Sequence, residues 1–96
     1  MSGVLGADAA DRALAERGLG WRRDGDVLVK EKDLGDFAGA LAYVNRVGEL
    51  AERADHHPDV EIRWSRVTLR LSTHSEGGIT ERDLDLAQAI DSLGDS

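Results

Sequence analysis

The sequence predicts an α+β domain of order α-β-β-α-β-β-α, with helices packed on one face of an antiparallel sheet. Three observations carry this. Two pairs of short runs alternate apolar and polar residues, each pair joined by a turn, as half-covered antiparallel strands do. A run at residues 34–54 repeats its apolar positions at three- and four-residue steps, the period of a helix. Glycine and proline fall mostly between these segments or near helix ends, with Gly20, Gly39 and Gly48 as exceptions.

Residues 1–7 are Gly-rich and are expected to fray, leaving 8–96 as a single domain. Asp8 or Asp11 can cap a short helix carrying Ala10, Ala13 and Leu14, which Gly18 ends. Leu19 and Trp21 then alternate with Gly20 and Arg22, and Asp24-Gly25 turns the chain into residues 27–32. The charged tail of that second strand suits a sheet edge. Asp33 is the expected N-cap of the long helix, whose apolar positions are Phe37, Leu41, Val44, Val47, Leu50, Ala51 and Ala54. Gly39 and Gly48 each weaken it by roughly 1 kcal/mol relative to alanine, which close packing would explain. Pro58 bars His57 from helical geometry, so the helix ends just before or within His56-His57. In the second hairpin Val60, Ile62 and Trp64 alternate with acids and Arg63. After a turn near Ser65-Arg66, Val67, Leu69 and Leu71 alternate with Thr68, Arg70 and Ser72. Thr80 and Asp83 form an acidic capping box for a last helix bearing Leu86, Ala87, Ile90 and Leu93. Trp21, Phe37, Tyr43 and Trp64, the only aromatics, are the expected core anchors.

Ninety-six residues make one domain, and at that size only roughly 60–65% of the unfolded surface is hidden, so association is expected to add stability. The chain has no cysteine, which removes disulfides, thiolate metal sites and cysteine nucleophiles together. Its net charge of −7 is concentrated in residues 49–96, which hold 5 basic and 11 acidic side chains. Such a surface repels phosphate backbones and anionic membranes, so neither nucleic acid nor membrane is an expected partner. No secretory signal and no stretch near the ~18 apolar residues of a membrane span is visible, so a cytoplasmic location is expected.

All three histidines lie between residues 56 and 74. Imidazole exchanges protons near neutrality, the requirement for general acid–base work. Glu52, four residues before His56, would share a helical face with it and hold its ring in one tautomer. Asp83 shares a stripe with Leu86, Ala87 and Ile90, so it points inward and needs donors: free backbone N–H groups or a histidine. The bland alternatives are a solvated histidine pair at a helix end, a strand-end His74, an Asp83 that only caps, and a Trp64 that packs in the core. Zinc is disfavoured, because His56 and His57 are hard to aim at one ion and no H-x-H or H-x₃-H spacing exists. No serine sits in a nucleophile elbow, and Gly77-Gly78 is too short for a phosphate loop.

The spacing Glu52-x₃-His56-His57-Pro58-x₅-Trp64-x₉-His74-x₈-Asp83 resembles the signature of the pterin-4a-carbinolamine dehydratases. The stretches ADHHPDVEIRW, THSEGGITERD and LAQAID carry it almost continuously, and Gly18-Leu19-Gly20-Trp21 is similar more loosely. The resemblance implies a four-stranded antiparallel sheet with three helices on one face, and homodimers or homotetramers. It implies dehydration of 4a-hydroxytetrahydropterin to quinonoid dihydropterin, a hydro-lyase reaction that recycles the tetrahydrobiopterin-type cofactor of aromatic amino-acid hydroxylases. No metal or organic cofactor is implied. His56, His57 and His74 would be catalytic, with His57 and His74 as the proton-transfer pair; Glu52, Pro58, Trp64 and Asp83 would bind or orient. The resemblance also implies an aromatic amino-acid hydroxylase or, as in some relatives, a homeodomain-type transcription factor as a partner. In some bacteria similar proteins are linked to molybdopterin metabolism, so a binding module or molybdopterin-related accessory protein with little turnover is the alternative.

Overall fold

The computed structural model describes residues 3–94. Its elements are α1 (Ala7–Arg17), β1 (Arg22–Asp24), β2 (Val27–Asp33), α2 (Phe37–Ala54), β3 (Asp59–Arg63), β4 (Arg66–Leu71) and α3 (Glu81–Asp91). The four strands form one antiparallel sheet in the order β1-β2-β4-β3. Three helices and this sheet are the predicted architecture. Direct cross-strand pairs Leu28↔Leu71, Lys30↔Leu69 and Lys32↔Val67 place these side chains on the helix-covered face. Leu28, Leu69, Leu71 and Val67 are at most 1% exposed there, closed over by Ala40, Tyr43, Val47, Leu84, Ala87 and Ile90.

Several local expectations give way to tertiary contacts. The charged β2 is central, not an edge: Lys30 reaches Asp91 at 2.7 Å, and Lys32 reaches the Gly94 carbonyl at 2.9 Å while lying over the Tyr43 ring. Their stems cover apolar surface while their ammonium groups find partners. The edges are β1 and β3. The first hairpin turns at Gly25-Asp26, one residue late, because Gly25 supplies the positive φ (61°) that the first loop position needs. Strand β1 starts only at Arg22; Trp21 turns into the core and its indole N–H donates to Asp91 Oδ1 at 2.9 Å.

Neither Asp8 nor Asp11 caps α1, whose N-cap is Gly6 with no side-chain bond. Asp11 instead pairs with Arg23 at 2.8 Å, a hydrogen bond that holds its carboxyl below its ordinary value. Gly18 does end α1, in the left-handed region. Ahead of α1 the chain is tied down, since Leu5 N–H donates to the Ile79 carbonyl at 2.8 Å; residues 1 and 2 of the expected frayed segment lie outside the described residues. Asp36, not Asp33, caps α2, accepting from Gly39 N–H at 2.7 Å. Asp33 accepts from Gly35 N–H at 2.9 Å, the largest of the influences, ahead of Ser65 and Arg66, that hold its carboxyl below the usual pKa. A Cβ on Gly39 would sit 2.9 Å from the Leu34 carbonyl oxygen, so close approach explains this glycine; around Gly48 there is open space and nothing explains it.

Two of the four aromatics are core. Tyr43 and Trp21 are buried, whereas Phe37 is 48% and Trp64 71% exposed. The core stripe of α2 is Ala40, Tyr43, Val47 and Ala51, so Phe37 and Leu41 fall on a neighbouring, open stripe. Trp64 sits with Ser65 in the two-residue β3–β4 loop, at φ 54°, a conformation a bulky side chain rarely adopts.

The Tyr43 hydroxyl has no hydrogen-bond partner among the described residues, and burial pushes its pKa up from 10.0 to about 12. The folded chain therefore holds this proton where the unfolded chain has lost it, and stability falls as pH rises from about 10 to 12. Tyr43→Phe is expected to raise stability at pH 7 by about 1 kcal/mol, the cost of an unpaired buried hydroxyl, and to flatten the alkaline loss. Urea unfolding of both proteins across pH 7–11 checks this; a variant destabilised at pH 7 would show that the hydroxyl has a partner.

Candidate active site

The site forms where α2 ends, β4 ends and α3 begins. Helix α2 stops at Ala54, and Asp55 takes the left-handed conformation (φ 50°), its N–H returning to the Ala51 and Glu52 carbonyls. This reversal breaks the helical phase before the histidines, three residues ahead of Pro58. His56 consequently does not stack on Glu52, as the i,i+4 spacing predicts. It swings inward, 8% exposed, and its ring Nε2 lies 2.5 Å from Asp83 Oδ1. Glu52 engages His57 instead, Oε2 to Nε2 at 2.5 Å, in a pair open to solvent. Glu52 thus pairs with His57 rather than with the expected His56, because the reversal at Asp55 turns the second histidine, not the first, back over the last turn.

Asp83 is fully buried at the start of α3 and its donors are all present. Besides His56 it accepts from Thr80 N–H at 2.9 Å, closing the capping box, and from the Thr73 hydroxyl at 2.8 Å. Thr73 has one proton and gives it to Asp83, so at the 2.8 Å contact between the two threonines Thr80 must donate. Thr80 Oγ1 in turn accepts from Arg82 N–H at 3.2 Å. A directed chain thus runs from Arg82 N–H through Thr80 and Thr73 to Oδ2 of Asp83, leaving Oδ1 for His56. A carboxylate only accepts, so both His56 and His57 donate through Nε2–H and keep Nδ1 as the acceptor when neutral.

His74 is not a strand-end residue. Strand β4 ends at Leu71, and His74 opens a tight turn closed by the Thr73↔Gly78 bridge. Gly77 (φ 82°) makes that turn possible, its N–H donating to the Thr73 carbonyl at 2.9 Å. The turn brings His74 to the pair: Asp55, His56, His57, Ser72, Thr73, His74, Ser75 and Arg82 line one cavity of about 260 Å³. Pro58 does not line it. Trp64 is at the far end of β3, roughly 16 Å of strand away, and neither packs in the core nor supports this pocket.

Thr73 and Arg82 are site residues that the sequence reading missed. Thr73 had a signal, since it continues the Val67, Leu69, Leu71 phase and is a polar residue on the covered face. Arg82 had none; its guanidinium reaches back to the Asp55 carbonyl at 2.6 Å, a contact between residues 27 apart.

Comparison with known proteins places this arrangement. The family model described as pterin 4 alpha carbinolamine dehydratase matches residues 4–93. A Thermomicrobium roseum protein is 51% identical over 86 residues, covering 90% of this chain and 92% of its own length. One from Mycobacterium sp. (strain JLS) is 50% identical over 92 residues, covering 96% and 97%. Both carry the provisional name pterin-4-alpha-carbinolamine dehydratase. Among solved structures, the transcriptional coactivator/pterin dehydratase from Brucella melitensis superposes with a TM-score of 0.85 at 30% identity, over 94% of this chain and 97% of that one. A pterin dehydratase-like protein identified as a RuBisCO assembly factor in the alpha-carboxysome gives 0.67 at 25% identity, over 83% and 96%. With the match running through every strand and helix and through the histidine pocket, this chain belongs to the pterin 4 alpha carbinolamine dehydratase family.

Proposed function

We propose that the protein dehydrates a 4a-hydroxytetrahydropterin to the quinonoid dihydropterin by histidine acid–base catalysis. The observation that carries this reading is the convergence of His56, His57 and His74 on one cavity, two of them oriented by carboxylates. An imidazolium protonates the 4a-oxygen, the C4a–O bond breaks, and water leaves. A neutral imidazole takes the N5 proton, and the N5 electron pair closes the C4a=N5 bond. No nucleophile or redox partner is required. His57 and His74 are exposed and can re-equilibrate their protons with solvent each cycle, which suits the transfer pair. His56, buried and fixed by Asp83, suits a group that holds the ring. Glu52 orients His57, and its loss should weakly mimic that of His57.

Turnover of chemically generated 4a-hydroxytetrahydropterin, measured above the spontaneous rate, tests the reading. The enzyme-dependent rate is expected to survive exhaustive chelation, since the chemistry needs no metal or organic cofactor. A folded protein with no rate above background would overturn it.

A second reading, as a partner-binding module, is favoured by the open stripe on α2. Phe37 and Leu41 are 48% and 42% exposed, and two structural neighbours are described as a coactivator and an assembly factor. A second copy of the chain is the simplest occupant, joined through α2 or through the edge strand β3, where Val60 is 44% exposed. A homodimer or homotetramer is expected in solution. Light scattering that finds only a 10.4 kDa species at micromolar concentration would exclude it.

A further inference from the structure

A second cavity, of about 350 Å³, lies between α2 and α3 beside the histidine pocket. Leu50, Ala54, Leu86 and Ala89 give it apolar walls, and Arg53, Arg82 and Asp85 are its charged residues. His56 and Arg82 line both cavities, so the two meet at a shared wall. The Asp85 carboxylate is already engaged by Arg17 at 3.0 Å. Among the described residues neither Arg53 nor Arg82 makes an ion pair, and the partner that Arg82 has, the Asp55 carbonyl, is neutral. Two exposed guanidinium groups thus border one small cavity without a direct ion-pair partner among the described residues, in a chain with 19 acidic and 12 basic side chains. The dehydration chemistry, confined to C4a and N5, makes no use of them.

We infer that this cavity is a subsite for an anionic substituent on the pterin, a carboxylate or a phosphate, with the apolar walls taking its carbon stem. The inference rests on the proposed seating of the ring against the histidines. Guanidinium groups present paired N–H donors that match both anions, and such charge-assisted bonds are about twice as strong as neutral ones. A neutral tail would leave both charges unmatched and draw nothing from them.

Equilibrium binding of three stable pterins tests this without turnover: 6-hydroxymethylpterin, its phosphate ester, and pterin-6-carboxylate. At low salt at least one anion is expected to bind roughly 10-fold more tightly than the neutral compound, the scale of one charge-assisted hydrogen bond. The anion or anions that gain identify the tail. The advantage should shrink as salt rises. Arg53→Gln should bring the ratio of anionic to neutral affinity close to one, and Arg53→Glu should invert it. Equal binding of all three compounds, or a preference that both Arg53 variants retain, would overturn the subsite. Failure of every pterin to bind would overturn the ring seating and the subsite together. A preference of the expected kind in a protein without turnover would sink the dehydratase reading alone.

Discussion

His74→Ala and His57→Ala are each expected to lower kcat/KM by roughly 10–10³-fold while the protein stays folded. For the proposed dehydration, which needs only a moderate acceleration, one or two acid–base groups are expected to supply most of it, so removing either should forfeit much of the rate. The fold should survive because both side chains are exposed: His74 sits in the turn after β4, and among the described residues His57 pairs only with solvent-open Glu52. An exposed pair of this kind contributes at most about 1 kcal/mol. If the two proton transfers are coupled, His57→Ala/His74→Ala should fall short of the product of the single effects. The measurement is enzyme-dependent dehydration over background, with circular dichroism on each variant. Full activity in His74→Ala would remove the central assignment.

Asp83→Ala should destabilise the protein by about 3 kcal/mol, because it strands three buried donors: Thr80 N–H, the Thr73 hydroxyl and His56 Nε2–H. Asp83→Asn separates this structural role from orientation of the ring. Oδ2 receives two donors, so the amide oxygen must take its place and the NH₂ group must face His56. An NH₂ group needs an acceptor, so His56 has to shift its proton to Nδ1 and present Nε2 as a lone pair. The expected variant loses only about 1–2 kcal/mol but roughly 10–100-fold in kcat/KM, acting through His56. Nitrogen NMR of the imidazole ring reports the switch from Nε2–H to Nδ1–H. A variant with the original tautomer and reduced activity would show that Asp83 does not act by positioning His56. Rescue of stability without rescue of activity, comparing asparagine with alanine, is the outcome a merely structural cap would not give.

How much of this was legible in the sequence differs from element to element. The pairing of the second hairpin (though not its turn, which falls at Trp64-Ser65 rather than Ser65-Arg66), the Thr80–Asp83 capping box and the Gly18 stop follow from patterns confined to a few neighbouring residues. The inward carboxylate was legible too, since Asp83 shares a stripe with Leu86 and Ala87 and a buried acid demands donors. Misreadings arose where two local solutions are nearly equal in energy and a distant residue decides. Asp33 and Asp36 are both competent caps by sequence, but Asp33 is held in β2 opposite Arg66 with its carboxylate on Gly35 N–H, which leaves Asp36 to cap. A lysine-rich strand reads as an edge unless Asp91 and the Gly94 carbonyl wait across the fold.

The sequence by itself determined the element order, the antiparallel pairing and the family, because periodicity and fixed spacing are properties of the chain alone. Which carboxylate serves which histidine was decided only in three dimensions. A single left-handed residue, Asp55, rotates everything after it, and no short-range pattern announces that rotation. Trp64 shows the same limit from the other side: strand alternation assigns it to the core, yet the two-residue loop closes one position early and leaves it in solvent. The cavity itself, with Arg82 reaching the Asp55 carbonyl and His74 carried to it by a glycine turn, brings together residues from three separate segments. Their meeting depends on how helices and sheet pack, and packing is a sum over the whole chain.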